Sequence, residues 1–221
     1  MELLKNYLAV KETIPANVTL VAVSKFKPVE TILALHEVTG HCIFGENRAR
    51  ELSEKHAQLS ADISWHFIGH LQTNKIKLIL PFVDLIQSVD SYKLLKEINK
   101  EANRLGKIIN VLLQFHIATE ETKFGLSPEE AFQMIEDNEF IDLQNINIRG
   151  VMGMASYTDE QSLLRKEFKT LRQLFERFKL GYFNSNSSFA EVSMGMSGDY
   201  LIAIEEGSSM VRIGSRIFGE R

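Results

Sequence analysis

A lysine stands where an apolar, β-branched run gives out: Val18-Thr19-Leu20-Val21-Ala22-Val23 is followed by Ser24-Lys25-Phe26-Lys27-Pro28. An ammonium is costly to desolvate, so a lysine at the end of a buried strand either reaches solvent or sits in a partly dry pocket with a lowered pKa. In the second case its neutral amine can attack a carbonyl and form a Schiff base. Lys25 and Lys27 fall on the same side of an extended chain, so spacing leaves the choice between them open.

Two turns near the C-terminus carry the residue types of an anion site. One is Ser193-Met194-Gly195-Met196-Ser197-Gly198-Asp199; the other is Gly214-Ser215-Arg216-Ile217-Phe218-Gly219, preceded by Arg212. Glycine and serine let backbone N–H groups and hydroxyls converge on a phosphate, although ordinary tight turns have the same composition. A phosphate site beside a nucleophilic lysine fits two chemistries: a Schiff base with pyridoxal phosphate, or a Schiff-base aldolase acting on a sugar phosphate. Weaker signals are Asn47 in Gly45-Glu46-Asn47-Arg48 and Asn74 in Gly69-His70-Leu71-Gln72-Thr73-Asn74-Lys75. His66 and His70 have the i,i+4 spacing of helical metal ligands, but Trp65 to Ile68 reads as a strand and no His-Glu-x-x-His motif is present, so no metal is expected. Met152 and Met154 read as packing residues.

These residues need elements to position them. Strands are expected over 18–23, 41–45, 65–69, 82–89, 108–115, 148–154, 190–194 and 209–213. Helices are expected over 29–39, 46–58, 91–105, 128–136 and 161–180, with Ser127 as an N-cap, Pro128 at the first helical position and Gly106 as a stop. Eight strands with helical crossovers make a parallel sheet; eight such units favour closure into a single (β/α)8 barrel, an α/β fold over residues 1–221, but pattern alone does not separate a barrel from an open sheet. Chemistry in such a barrel gathers where the strands end, phosphate commonly after strands seven and eight. Closure would set strand eight beside strand one, so the lysine and the two turns would share one mouth.

The totals agree. The chain has 221 residues, 44% hydrophobic and 24% charged, enough for one sizeable core. A net charge of −4 argues against a nucleic-acid partner, which calls for a basic face. The one cysteine, Cys42, excludes an intramolecular disulfide and suits a reducing compartment. The start has no basic region followed by an apolar run, and the stretch 78–86 is too short to span a bilayer. A cytoplasmic protein with no membrane partner is expected.

The same residues carry a resemblance. Ala22-Val23-Ser24-Lys25-Phe26-Lys27-Pro28, Phe44-Gly45-Glu46-Asn47, the run from Trp65 to Lys75, Ile148-Arg149-Gly150-Val151-Met152, the turn from Ser193 to Asp199 and the segment Val211 to Gly219 occur in order over nearly the whole chain. Together they closely resemble the pyridoxal phosphate homeostasis protein family. The resemblance implies a barrel like the N-terminal domain of alanine racemase, with pyridoxal 5′-phosphate held as a reversible Schiff base on Lys25. It makes Arg212 a neighbour of the pyridine nitrogen, and Gly214 and Ser215 phosphate contacts. Ser193, Met194 and Ser197 match the other phosphate-side turn, and Asn47 and Asn74 match positions lining the pocket. Alanine racemase has a second, β-rich domain that supplies a catalytic tyrosine, and the chain stops at Arg221 without it. The resemblance therefore implies a monomeric, non-catalytic carrier and regulator of the cofactor, able to hand it to apo-enzymes. The alternative is a pyridoxal phosphate-dependent racemase or deaminase acting on a small amino acid.

Overall fold

The apolar, β-branched runs form eight parallel strands that close into a barrel in sequence order: β1 (Thr19–Val23), β2 (Ile43–Glu46), β3 (Ser64–Phe67), β4 (Leu85–Val89), β5 (Ile109–Phe115), β6 (Ile146–Gly153), β7 (Glu191–Ser193) and β8 (Met210–Ile213). The structure is a computed structural model and describes residues 2–119 and 124–220. β8 closes the barrel on β1, with Val21 opposite Arg212 and Ala22 opposite Ile213.

Buried on both faces, these strands read as continuous rather than alternating apolar runs; all five residues of β4 are buried. The outer faces pack against helices in one large core that includes Phe44, Trp65, Phe115, Phe168 and Phe178. A small separate cluster draws Val21, Leu85, Leu112, Met152 and Met210 from five strands and plugs the inside of the barrel. Above that plug the inward positions turn polar, and there the site begins.

The helices are α1 (Glu2–Glu12), α2 (Val29–Thr39), α3 (Ala49–His56), α4 (Ile76–Ile79), α5 (Tyr92–Leu105), α6 (Pro128–Glu136), α7 (Gln161–Gly181), α8 (Tyr200–Glu205) and α9 (Ser215–Phe218). Ser91 caps α5 by accepting from Leu94 N–H. Ser127 and Glu130 form a reciprocal capping box on α6, with Pro128 in its first turn.

The differences from the sequence reading have local causes. The helix expected from residue 46 begins at Ala49, because Glu46 completes β2 with its carboxylate fully buried. β4 starts at Leu85 rather than 82; before it, Asp84 accepts the Trp65 N–H through its side chain. α1 was not expected: only Tyr7 and Val10 of it are buried, too sparse a stripe to give a period. The crossover after β3 is a 3-10 turn (Thr73–Lys75) and the single turn α4, too short for a helical pattern.

Candidate functional site

At the C-terminal ends of the strands lies a cavity of about 680 Å³. It is lined by Lys25, Asn47, Ser197, Arg212, Gly214 and Ser215, with Met154, Ser156 and Asp199 completing the wall. The lysine after β1 and the turns after β7 and β8 thus meet at one mouth.

Gly214 brings β1 and the last turn together. A Cβ there would lie 3.1 Å from the carbonyl oxygen of Val23, so a side chain would wedge the turn away from the end of β1. The Gly214 N–H donates to Ser197 Oγ at 3.2 Å, which ties the two Gly/Ser turns into one cradle. Gly195 gives the first turn its shape with φ +95°, where a Cβ would sit 2.6 Å from that of Ala203.

The two lysines that spacing left equivalent both reach the cavity. Lys27 Nζ donates to the carbonyls of Phe218, Gly219 and Glu220 at 3.0, 3.3 and 3.3 Å, which tie it to the end of the chain. Both Lys25 and Lys27 are half-buried and line the cavity.

Arg212 is only 4% exposed, yet it keeps its charge at neutral pH: burial pulls its pKa down to about 10, against the nearby Asp199. Its guanidinium donates through Nη1 to Ser193 Oγ at 2.6 Å and through Nη2 to the Gly153 carbonyl at 3.0 Å. Ser193 Oγ donates to Gln87 Oε1 at 2.7 Å, and Gln87 Nε2 lies 2.9 Å from His66 Nδ1. Arg212 can only donate, so the direction of the chain is set. The Gln87 amide must then donate to His66, and His66 carries its single proton on Nε2. Burial, with a smaller push from Arg149, lowers the His66 pKa to about 3, so the ring is neutral at physiological pH.

Asn47 Oδ1 is a buried acceptor with no hydrogen-bond partner among the described residues. Leaving such an atom unpaired costs about 1–3 kcal/mol, so the cavity wall holds a position that a ligand donor can fill. Cation, cradle and orphan acceptor together fit a small anionic, hydrogen-bonding ligand such as pyridoxal 5′-phosphate.

Three residues singled out in the sequence stand apart from the cavity lining. Ser193 is fully buried beneath it and reaches it through Arg212. Met194 packs in the outer core. Asn74 is exposed in the 3-10 turn after β3. Tyr157 is 98% exposed at the rim, and Tyr182 lines a different groove, where its hydroxyl donates to Glu136. His66 points into the barrel interior while His70 pairs with Asp90 outside, so they share no site. Among the described residues no group of three or more His, Cys, Asp or Glu could hold a metal, and no helix is long and apolar enough to cross a membrane.

Sequence reasoning missed Gln87 and the support that Glu46 gives to the strand ends. A signal existed for the first: Gln87 and Ser88 are polar intruders in a run otherwise apolar enough to be buried on both faces.

A family model described as alanine racemase, N-terminal domain, matches residues 2–221. A pyridoxal phosphate homeostasis protein of Aquifex aeolicus is 38% identical over 203 residues, covering 91% of this chain and 86% of that protein. PipY of Synechococcus elongatus, solved with PLP bound, superposes with a TM-score of 0.87 at 29% identity, over 98% of this chain and 100% of that one. An alanine racemase of Clostridium difficile shares the fold, with a TM-score of 0.80 at 16% identity, over 100% of this chain and 60% of the racemase.

Proposed function

Because the chain belongs to the pyridoxal phosphate homeostasis proteins, built on the alanine racemase N-terminal domain, we propose that it holds pyridoxal 5′-phosphate reversibly, as a Schiff base on Lys25. In this reading it is a carrier and regulator of the cofactor rather than an enzyme. The observation that carries the reading is the convergence of Lys25, Arg212 and both Gly/Ser turns on one cavity. That PipY, a relative at 29% identity, is solved with PLP bound supports it.

The residues divide the work. Lys25 supplies the amine. Ser215 and Ser197 offer backbone and hydroxyl donors to the phosphate, the Gly214 N–H joins them when the phosphate takes the place of Ser197 Oγ as its acceptor, and Asn47 Oδ1 accepts from a ligand donor. Arg212 offers a permanent cation toward the pyridine nitrogen, with Ser193 and Met194 behind it as support and packing; Asn74 has a role only if the turn after β3 folds inward. Bound pyridoxal phosphate supplies an aldehyde for amine capture and an electron-withdrawing ring. An arginine cannot give up its proton, so a nitrogen facing Arg212 stays unprotonated and the ring withdraws electrons weakly. That suits storage better than carbanion chemistry. Racemisation also needs acid/base groups on both faces of a carbanion, and Tyr157, the tyrosine at the rim, stands out in solvent.

The protein acts, in this account, as a single-domain cytoplasmic monomer over residues 1–221. An incoming amine can displace Lys25, which lets the cofactor pass to apo-enzymes dependent on it. Titration of apo-protein with pyridoxal phosphate, beside Lys25→Ala and with free amino acids added afterwards, tests this. The wild type should gain near-visible absorption, Lys25→Ala should not, and amino acids should release cofactor without being turned over. Absorption retained in the variant would remove Lys25 from its role; sustained conversion of an amino acid would favour the racemase or deaminase reading.

A further inference from the structure

The segment that carries Lys25 is held in an unusual way. Ser24 O accepts the Lys27 N–H at 3.0 Å, closing a four-residue turn with Lys25 and Phe26 at its centre. Phe26 has φ +64°, among the described residues the one positive value outside glycine. A positive φ at the third position of a turn belongs to the type II form, where glycine is the usual occupant. A phenylalanine there is held by its surroundings rather than by its own preference.

Three side chains from β2 and α3 do the holding. Ser24 O, the carbonyl of the peptide before Lys25, also accepts from Lys55 Nζ at 2.8 Å. Phe26 N–H, in the peptide after Lys25, donates to Glu51 Oε1 at 2.6 Å. Ser24 Oγ donates to Glu46 Oε1 at 2.6 Å. Lys55 joins the carboxylates, 2.7 Å from Glu46 Oε1 and 2.7 Å from Glu51 Oε1. The Arg48 guanidinium covers the Phe26 ring at 4.7 Å. Both peptide groups flanking the Lys25 Cα are therefore gripped from outside the cavity.

Stability alone is a poor reason for this arrangement. Glu46 is fully buried, its Oε2 has no hydrogen-bond partner among the described residues, and burial drives its pKa upward against the pull of Lys55 and Ser24. Buried ion pairs are often matched or bettered by well-packed apolar residues, and fixing one conformation is a use for which they can be retained. What this pair fixes is the origin and direction of the Lys25 side chain.

We propose that Glu46, Glu51 and Lys55 are positioning residues for Lys25, setting the rate at which its amine captures the cofactor aldehyde while leaving non-covalent binding in the cavity unchanged. The proposal rests on the assignment of Lys25 made above. In the step concerned, the neutral amine nitrogen bonds to the aldehyde carbon. The C=O bond breaks as C=N forms, and the oxygen leaves as water with both amine hydrogens. Nothing is oxidised or reduced. A displacement of about 1 Å in such a nucleophile can slow attack by roughly 100-fold.

The experiment mixes full-length apo-protein with pyridoxal 5′-phosphate and follows the absorbance of covalent capture in wild type, Lys55→Met, Glu51→Ala and Glu51→Gln. Calorimetry with pyridoxine 5′-phosphate, an alcohol that cannot form the link, reads the non-covalent grip. Lys55→Met and Glu51→Ala should capture roughly 10–100-fold more slowly and bind the alcohol as the wild type does. Glu51→Gln keeps an acceptor for the Phe26 N–H and should recover most of the rate. Wild-type capture rates in both disruptive variants would overturn the proposal, as would parallel losses of capture and alcohol binding. If Lys55→Met fails to fold, the Glu51→Ala and Glu51→Gln pair decides, since Glu51 lies at the edge of the network. A wild type that captures nothing would overturn the Lys25 assignment itself, whereas normal wild-type capture with unaffected variants overturns only the positioning role.

Discussion

His66 ends the polar chain that supports Arg212, and its burial makes the protein's stability depend on pH in a calculable way. The folded protein keeps the ring neutral down to about pH 3, against 6.5 for an ordinary histidine. Its folded pKa is depressed, so below pH 6.5 the unfolded chain binds a proton that the folded one refuses. Stability contributed by the neutral ring is whole above pH 6.5 and is lost as pH falls from there toward 3. Between pH 7 and pH 5 the loss from this one group is about 2 kcal/mol, equivalent to roughly 4–8 °C in melting temperature for a chain of this size. The perturbation is His66→Asn, whose amide oxygen can still accept from Gln87 but does not titrate. Urea unfolding of both apo-proteins at pH 7, 6 and 5 isolates the term, because every other titrating group, including His41 (pushed down to about 4 by burial), is common to the two. The variant starts less stable at pH 7 because it leaves a cavity, and the gap should narrow by about 2 kcal/mol by pH 5. Parallel stability curves would show that His66 does not resist protonation in the fold, and would refute the neutral end of the chain that fixes Ser193 and Arg212.

Other predictions follow from the same site. Arg212→Gln removes the cation and leaves Ser193 Oγ and the Gly153 carbonyl without their buried donor; retention of pyridoxal phosphate should fall by about tenfold or more, read by titration of the apo-protein, and unchanged affinity would count against Arg212 as a cofactor neighbour. Gly195→Ala forces a side chain into a left-handed backbone and onto Ala203 and Tyr200; it should destabilise the fold by about 2 kcal/mol or more, and an unmoved urea midpoint would contradict the shape of the first Gly/Ser turn.

The strands were legible in outline because they are buried on both faces, and the lysine and the two Gly/Ser turns stand directly after such runs, although the run read as 82–89 begins only at Leu85; closure into a barrel rather than an open sheet was not in the pattern and came with the family resemblance. Pairings across long sequence separations were illegible. The carbonyls that hold Lys27 Nζ belong to residues 218–220, nearly two hundred residues away. Glu46 reads as the start of a helix until Lys55 and Ser24 are seen to neutralise it inside β2. Asn74 looked like a wall residue because it follows a strand, but the crossover turns at once into a 3-10 helix and leaves it in solvent. Ser193 was read as part of a phosphate-side turn, but its hydroxyl lies one step behind the wall, under Arg212, a placement that depends on β8 and is invisible in the local sequence.

Borohydride reduction of the cofactor-loaded protein, followed by peptide mapping, tests the central claim most directly. The account predicts a single stable phosphopyridoxyl adduct on the peptide that contains Lys25, and none in Lys25→Ala. An adduct mapped to Lys27 or elsewhere, or pyridoxal phosphate bound with nothing for borohydride to trap, would contradict it.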